Sequence, residues 1–401
     1  MKTLIIFSHL RWGFVYQRPQ HLLSRVAARW DILFVEEPVH GAPSLEVSTP
    51  APGVTVLQPR TLAEGHGFAD TQFEPIARLL RGYLDEHRIE DYGVWLYTPM
   101  ALPLLGGLTP GVIVYDCMDQ LSAFMGAPPQ LLRREGTLLD IASVVFTGGP
   151  SLYDAKRTAS PNVHSLPSSV DAAHFAPREE GHVASRLFSG IAHPRLGFYG
   201  VVDERLDLDL LVRVADAEPA WQICIVGPVV KIDPATLPQR PNLHYLPQQA
   251  YDDLPDVLAA WDVCLMPFAL NASTEFISPT KTLEYMAAGK PVVSTGIADV
   301  RRLYAEGVEI AADAEAFISA CRQALAEDGV QRAERLARQQ RLVQQTSWDR
   351  AADVVVQEIE RAQDSGLSPK AQEYLEGRRV VNLPKQDAAD SRATREGRWS
   401  A

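Results

Sequence analysis

The sequence predicts an α/β chain built from two doubly wound, Rossmann-like units in tandem. Three observations predict it. Short β-branched runs alternate with helical stretches from residue 3 to residue 166, the pattern of a mostly parallel sheet with helices on both faces. A polar stretch bearing Pro and Gly breaks the pattern over residues 167–190. The alternation then restarts at residue 196 and runs past residue 326. A chain of 401 residues suits two such units at about 100–200 residues per domain. The expected division is an N-terminal unit over 1–178 and a C-terminal unit over 190–346. A last helix over 347–362 should pack back toward the first unit, and a polar, disordered tail should occupy 366–401.

In order along the chain, TLIIFS at 3–8 is a buried strand by composition. A loop carrying His9, Arg11 and Gly13 follows, then a helix over about 17–29 and the strand DILFVE. This opening resembles a dinucleotide-binding unit without its GxGxxG. Gly13 is either a turn glycine or a point of close backbone approach to a ligand. His9 and Arg11 are structural or contact a sugar, and His21 reads as a packed histidine. Further strands are expected at 54–58, 93–98, 112–116, 143–147 and 163–166, with helices at 74–86 and 129–141. The second unit supplies strands at 196–200, 222–227, 243–246, 262–267, 291–294 and 308–311. Its helices fall at 207–217, 252–260, 279–288 and 314–326, the last capped by Asp313. A helical stretch after residue 328 and a helix capped by Ser347 close the ordered part.

Bulk composition narrows the function. The chain is 46% hydrophobic and 22% charged, with a net charge of −12. Such an acidic balance argues against a nucleic-acid partner. The N-terminus lacks a secretory core, and no run of about 20 apolar residues exists to cross a bilayer, so a cytoplasmic protein is expected, with peripheral membrane contact left open. Cys117, Cys224, Cys264 and Cys321 are scattered and form no CxxC, which reads as four buried thiols rather than a metal site or a disulfide.

The stretch STEFISPTKTLEYMAAGKPVVST at 273–295 carries the chemistry. Pro279 suits a first helical turn, Gly289 a helix C-cap, and Lys290-Pro291 a stop. Lys281 then adds a full positive charge to the helix N-terminus, a place that favours phosphate. Glu284, one turn on, can accept two hydrogen bonds from a ribose diol. Ser278 either caps the helix or donates to a phosphate. Phosphate donors followed by a diol acceptor describe a nucleoside diphosphate site.

With these residues in hand, the chain resembles the GT-B glycosyltransferases, most closely family 4, also called group 1. Four phrases carry the resemblance: the opening strand with RPQHLL; VYDCMDQLSAF with Glu135 and SVVFTGGPSLYDAK; the linker VHSLPSSVDAAHF; and LGFYGVVDERLDLDLL with DVCLMPF and SPTKTLEYMAAGKPVVS. Together they span most of residues 1–350. The resemblance implies two Rossmann-like domains facing a cleft, a nucleoside diphosphate sugar as donor, and a polysaccharide, lipid-linked or small-molecule acceptor. It implies that side chains rather than a metal or cofactor stabilise the leaving diphosphate: Lys281, with Arg205 as a second cation unless that residue is a solvated loop charge. It implies Glu284 on the ribose. Asp116, at a strand end, with Asp119 beside it, becomes the candidate for acceptor activation, or else a helix cap. Two close carboxylates would raise one pKa, which suits a base. One departure stands out. Many family members carry a second glutamate eight positions before the ribose glutamate, but Phe276 occupies that place, and Glu275 is out of register. The SPTK arrangement resembles instead the xanthan-type glucuronosyltransferases, where an N-terminal aspartate serves as base, so retention and inversion both stay open. The alternatives are a UDP-sugar 2-epimerase on the same fold and a nucleotide-sugar binding protein with weak catalysis.

Overall fold

The computed structural model describes residues 1–178 and 186–379. Among these, nine strands form the first sheet: β1 (Thr3–Ser8), β2 (Asp31–Glu36), β3 (Val39–His40), β4 (Ser44–Ala51), β5 (Val54–Thr61), β6 (Tyr92–Leu96), β7 (Ile113–Cys117), β8 (Val144–Thr147) and β9 (Val163–Ser165). Their order is β3-β5-β2-β1-β6-β7-β8-β9, with β4 pairing β5. Six more form the second sheet: β10 (Arg195–Tyr199), β11 (Gln222–Val226), β12 (Leu243–Leu246), β13 (Val263–Met266), β14 (Val292–Thr295) and β15 (Glu309–Ala311). Their order, β12-β11-β10-β13-β14-β15, reverses direction around β10 and β13. All pairings in the second sheet are parallel.

Parallel strands covered on both faces must be apolar on both, and β1, β6, β7 and β8 are buried at every residue. Two apolar clusters cover the two faces of the first sheet, and a third fills the second unit. All the strands read from the sequence are present. Strands β3 and β4 are additions, both paired with β5: β4 runs antiparallel to it and is mostly exposed, so it lacks the alternating apolar face that reveals a strand. All four cysteines are free and buried.

Asp313 and Ser347 cap their helices through hydrogen bonds to the N–H groups of Ala316 and Arg350. The helix Trp348–Ser365 crosses back to the first unit, where Trp348, Ala352, Val355 and Ile359 join its core. Trp348 stacks on His21 at 4.7 Å, and His21 is a buried histidine pushed down to about 3 by burial. The disordered tail expected from residue 366 is corrected over Pro369–Arg379, which form a helix. That helix is polar overall, and only Ala371 and Leu375 drop into the first unit's core, so its sequence shows too narrow an apolar stripe to be noticed. The rest of the expected tail, 380–401, lies outside the described residues. No described helix is long and apolar enough to cross a membrane.

Trp348 is 1% exposed and sits in the first unit's core. Trp348→Ala should lower the first unit's unfolding free energy by about 3–5 kcal/mol. A urea melt would show this as a lower midpoint; an unchanged midpoint would mean that the crossing helix does not support that unit.

Candidate active site

The site is built where β10 and β11 end. Gly200 follows β10 with φ +141°, and Gly227 follows β11 with φ +149°. A Cβ on Gly227 would lie 2.0 Å from the Gly200 carbonyl oxygen, so the two loops cross at a separation only glycine permits. A Cβ on Gly200 would lie 3.2 Å from Cε of Lys281. The lysine side chain therefore lies along bare backbone at the carboxyl edge of the sheet, where ligands bind in such folds.

Lys281 opens the helix Lys281–Ala287, and Gly289, with φ +67°, closes it. The helix starts two residues after Pro279, not at it. It has only seven residues, and the Thr282 and Leu283 N–H groups already bond back to Pro279 and Thr280. The expected phosphate site at the helix N-terminus is thus mainly the Lys281 ammonium. That ammonium lies 5.4 Å from the Phe198 ring centroid and 5.5 Å from that of Phe268. Among the described residues it has no hydrogen bond or ion pair. Its pKa is lowered to about 8 by burial, with Glu284 opposing the shift and Arg205 adding to it.

Glu284 is buried and accepts a hydrogen bond from the Tyr199 hydroxyl at 2.5 Å. Burial raises its pKa, and the Tyr199 bond pulls it back. Tyr199 also lines a cavity of about 280 Å³ between the two units. Across that cavity lie Trp12, Gly13, Phe14 and Tyr16, facing Gly200, Gly227, Pro228 and Gln248. A Cβ on Gly13 would meet nothing within 4 Å, so protein packing does not require glycine there; its open side is the cavity. Gln248 donates to the Phe14 carbonyl at 2.6 Å and ties the first unit's loop to the second unit. Ser278 sits at another seam, where a Cβ on Gly149 would come within 2.9 Å of its own Cβ.

Arg205 is held by Asp203 through bonds of 2.9 and 2.7 Å. Its guanidinium carbon stands 5.4 Å from the centroid of Phe124, a ring from the first unit. Lys231 approaches the same ring at 4.6 Å. His9, at the end of β1, has a buried Nδ1 without a partner among the described residues. Burial first and Lys231 second lower its pKa to about 4, so it is a neutral donor or acceptor at the cleft. Arg11 bonds Glu36 at 2.9 Å and serves to hold its loop.

Asp116 requires a correction. Its carboxylate is completely buried and takes both arms of Arg18, at 3.1 and 3.0 Å. Arg18 further donates to the Leu166 carbonyl at 2.6 Å. A carboxylate used in this way joins the first helix to the sheet and the linker, and it cannot reach an acceptor. Asp119, three residues on, is half-buried in the loop that also carries Phe124. Burial raises its pKa, opposed by Arg205, Arg18 and Lys231. Burial leads the shift; of the close pair read from the sequence, Asp116 is the one whose pKa the other raises, behind burial. Tyr199, Phe124 and Lys231 were absent from the sequence reading. They reach the site through contacts between distant segments, and the sole local hint is the aromatic character of LSAF and GFY.

Comparisons with known proteins bear on the second unit first. Residues 193–327 match the family model described as glycosyl transferases group 1. The C-terminal unit is thus similar to a group 1 glycosyltransferase domain. The chain as a whole has the GT-B fold, and its similarities to solved structures extend over both units. It superposes on sucrose-phosphate synthase from Thermosynechococcus elongatus with a TM-score of 0.69 and 16% identity, covering 91% of this chain and 100% of that one. An Escherichia coli structure titled trehalose-6-phosphate, bound with UDP-2-fluoro glucose, gives 0.66 and 12% over 92% and 100% of the two chains. Anabaena HepE in complex with UDP gives 0.62 and 14% over 90% and 100%. In sequence, the chain is 26% identical over 257 residues to the Bacillus subtilis (strain 168) protein named putative teichuronic acid biosynthesis glycosyltransferase TuaH. That match covers 58% of this chain and 64% of the relative.

Asp116→Ala should cost about 3–5 kcal/mol of stability, because it strands the Arg18 guanidinium in the core. Replacing both partners, Arg18→Met with Asp116→Leu, should recover most of that loss. A double variant no more stable than Asp116→Ala would show that the pair is not the reason for the loss.

Proposed function

We propose that the protein is a glycosyltransferase that moves a sugar from a nucleoside diphosphate sugar to a glycan or lipid-linked acceptor. The single observation that carries this reading is the Lys281 ammonium: desolvated, without an anionic partner among the described residues, and laid against Gly200 at the mouth of the cleft. A partly desolvated cation in this state is stabilised by an incoming anion. Breaking the bond between an anomeric carbon and a diphosphate delivers negative charge to that spot, and a positioned cation lowers the barrier.

In this reading Lys281 and Arg205 hold the diphosphate, and Glu284 takes the ribose hydroxyls, with Tyr199 yielding or sharing its bond. The nucleoside enters the cavity bounded by Gly13, Gly227 and Gln248, while Ser278 lines the seam behind the phosphates. Asp119 replaces Asp116 as the acceptor-side carboxylate. Its raised pKa, caused by burial, suits a group that takes a proton from a hydroxyl. His9, neutral and with a free nitrogen, suits a sugar hydroxyl. Side chains rather than a metal supply the charge, so EDTA should leave turnover unchanged. The relatives support the substrate class: two similar structures are titled with UDP or a UDP-sugar, and TuaH is named for teichuronic acid biosynthesis. UDP-sugars are therefore the first donors to try, followed by GDP- and ADP-sugars.

The test is release of nucleoside diphosphate from these donors with candidate glycan acceptors. Interconversion of nucleotide sugars without acceptor would point instead to an epimerase. Lys281→Met should weaken nucleoside diphosphate binding roughly 10–100-fold, the size of a charge-assisted hydrogen bond. Burial lowers the Lys281 pKa to about 8. A bound diphosphate favours the charged form and lifts this value, so binding should take up protons above about pH 8, and affinity should fall as pH rises through that range. Calorimetry in buffers of different ionisation enthalpy measures the uptake; none above pH 8 would remove Lys281 from the contact.

A further inference from the structure

The two cations above leave the diphosphate short of positive charge. Arg205 is already neutralised by Asp203, which is 2% exposed and grips it through both oxygens. Lys281 then supplies a single charge. The loop after β11 brings another. Its backbone is laced to the loop after β10: Val202 N–H donates to the Pro228 carbonyl at 2.9 Å, and Val230 N–H to the Val202 carbonyl at 3.0 Å. The next residue, Lys231, has φ +65°, a left-handed backbone that costs a residue with a side chain roughly 1–2 kcal/mol. Such strain is kept where a side chain must be aimed.

The aim is into the cleft. The Lys231 ammonium lies 4.6 Å from the centroid of Phe124, and the Arg205 guanidinium lies 5.4 Å from that same ring. Two cations of the second unit thus converge on one phenyl ring of the first. A cation–π contact uses the ring face and leaves the N–H groups pointing elsewhere free. The nearest carboxylate to Lys231 is Glu204, at 3.8 Å, and the lysine side chain is 40% exposed. Glu204 Oε1 also accepts the Met125 N–H at 3.3 Å, from the loop that carries Phe124, while its Oε2 has no hydrogen-bond partner among the described residues. The charge of Lys231 acts on both His9 and Asp119 of the first unit.

We infer that Lys231 is a diphosphate-binding residue of the donor site. Its ammonium leaves the long contact with Glu204 and hydrogen-bonds the phosphate next to the sugar. The flexible lysine stem makes that swing, which a fixed guanidinium fork cannot. Phe124 positions the cation, so that the loop bearing Asp119 and the charge under the leaving group come together when the two units face each other. This inference rests on the donor reading above.

The experiment separates the two. Full-length protein is titrated calorimetrically with UDP, GDP and ADP, and then with the monophosphate of whichever binds tightest. Lys231→Met should weaken the diphosphate roughly 10–100-fold and leave the monophosphate within about twofold, since the monophosphate lacks the contacted group. Lys231→Arg should recover little of the loss, because the guanidinium fork does not make the swing, and thermal melts of both variants should match the unaltered chain. Equal weakening of diphosphate and monophosphate, or no weakening of either, overturns the inference while leaving the donor reading standing. An unaltered chain that binds none of the three diphosphates overturns the donor reading and this inference with it.

Discussion

The structure of the second unit turns on holding one half-buried ammonium group without giving it an ion pair among the described residues. The Lys281 ammonium stands against the paired rings of Phe198 and Phe268, and its stem runs along Gly200. Each neighbouring feature serves that placement. The glycines at 200 and 227 let two strand-end loops cross. Tyr285, on the same helix, accepts the Tyr199 N–H at 3.1 Å and pins the helix to β10. Gly289 ends the helix so that the chain can enter β14. An unpaired, desolvated charge is costly in a folded protein, so its retention marks a place where an anion is expected.

The first unit is fastened by a different charge. Arg18 and Asp116 form a buried pair that ties the first helix to β7 and to the linker carbonyl of Leu166. Contacts across the cleft mix aromatic and polar groups: Tyr16 of the first unit stacks on Tyr251 of the second at 4.5 Å, and polar bonds join them. Asp299 accepts the Ser151 N–H at 3.0 Å, Arg302 meets Asp154 at 2.6 Å, and Gln248 holds the Phe14 carbonyl. Interfaces of this kind permit relative movement of domains, which suits a cleft that must admit a large donor and then bring Asp119 near it.

Much of this was legible in the chain because the information was local. Central strands buried on both faces announce themselves as runs such as TLIIFS and QICIV. Lys281 and Glu284 were legible because one turn of helix places them together. What escaped depended on distance or exposure. Strand β4 is mostly exposed and carries no apolar alternation. Asp116 was misjudged because its partner lies 98 residues away. Phe124 and Lys231 are linked only by the meeting of the two units, a contact that no local pattern encodes.

The most direct measurement is a crystal structure of the protein with a bound nucleoside diphosphate. The account predicts phosphate oxygens within hydrogen-bond distance of the Lys281 ammonium and the ribose hydroxyls on Glu284. A diphosphate bound elsewhere, with Lys281 still flanked by Phe198 and Phe268 and contacting nothing, would contradict it.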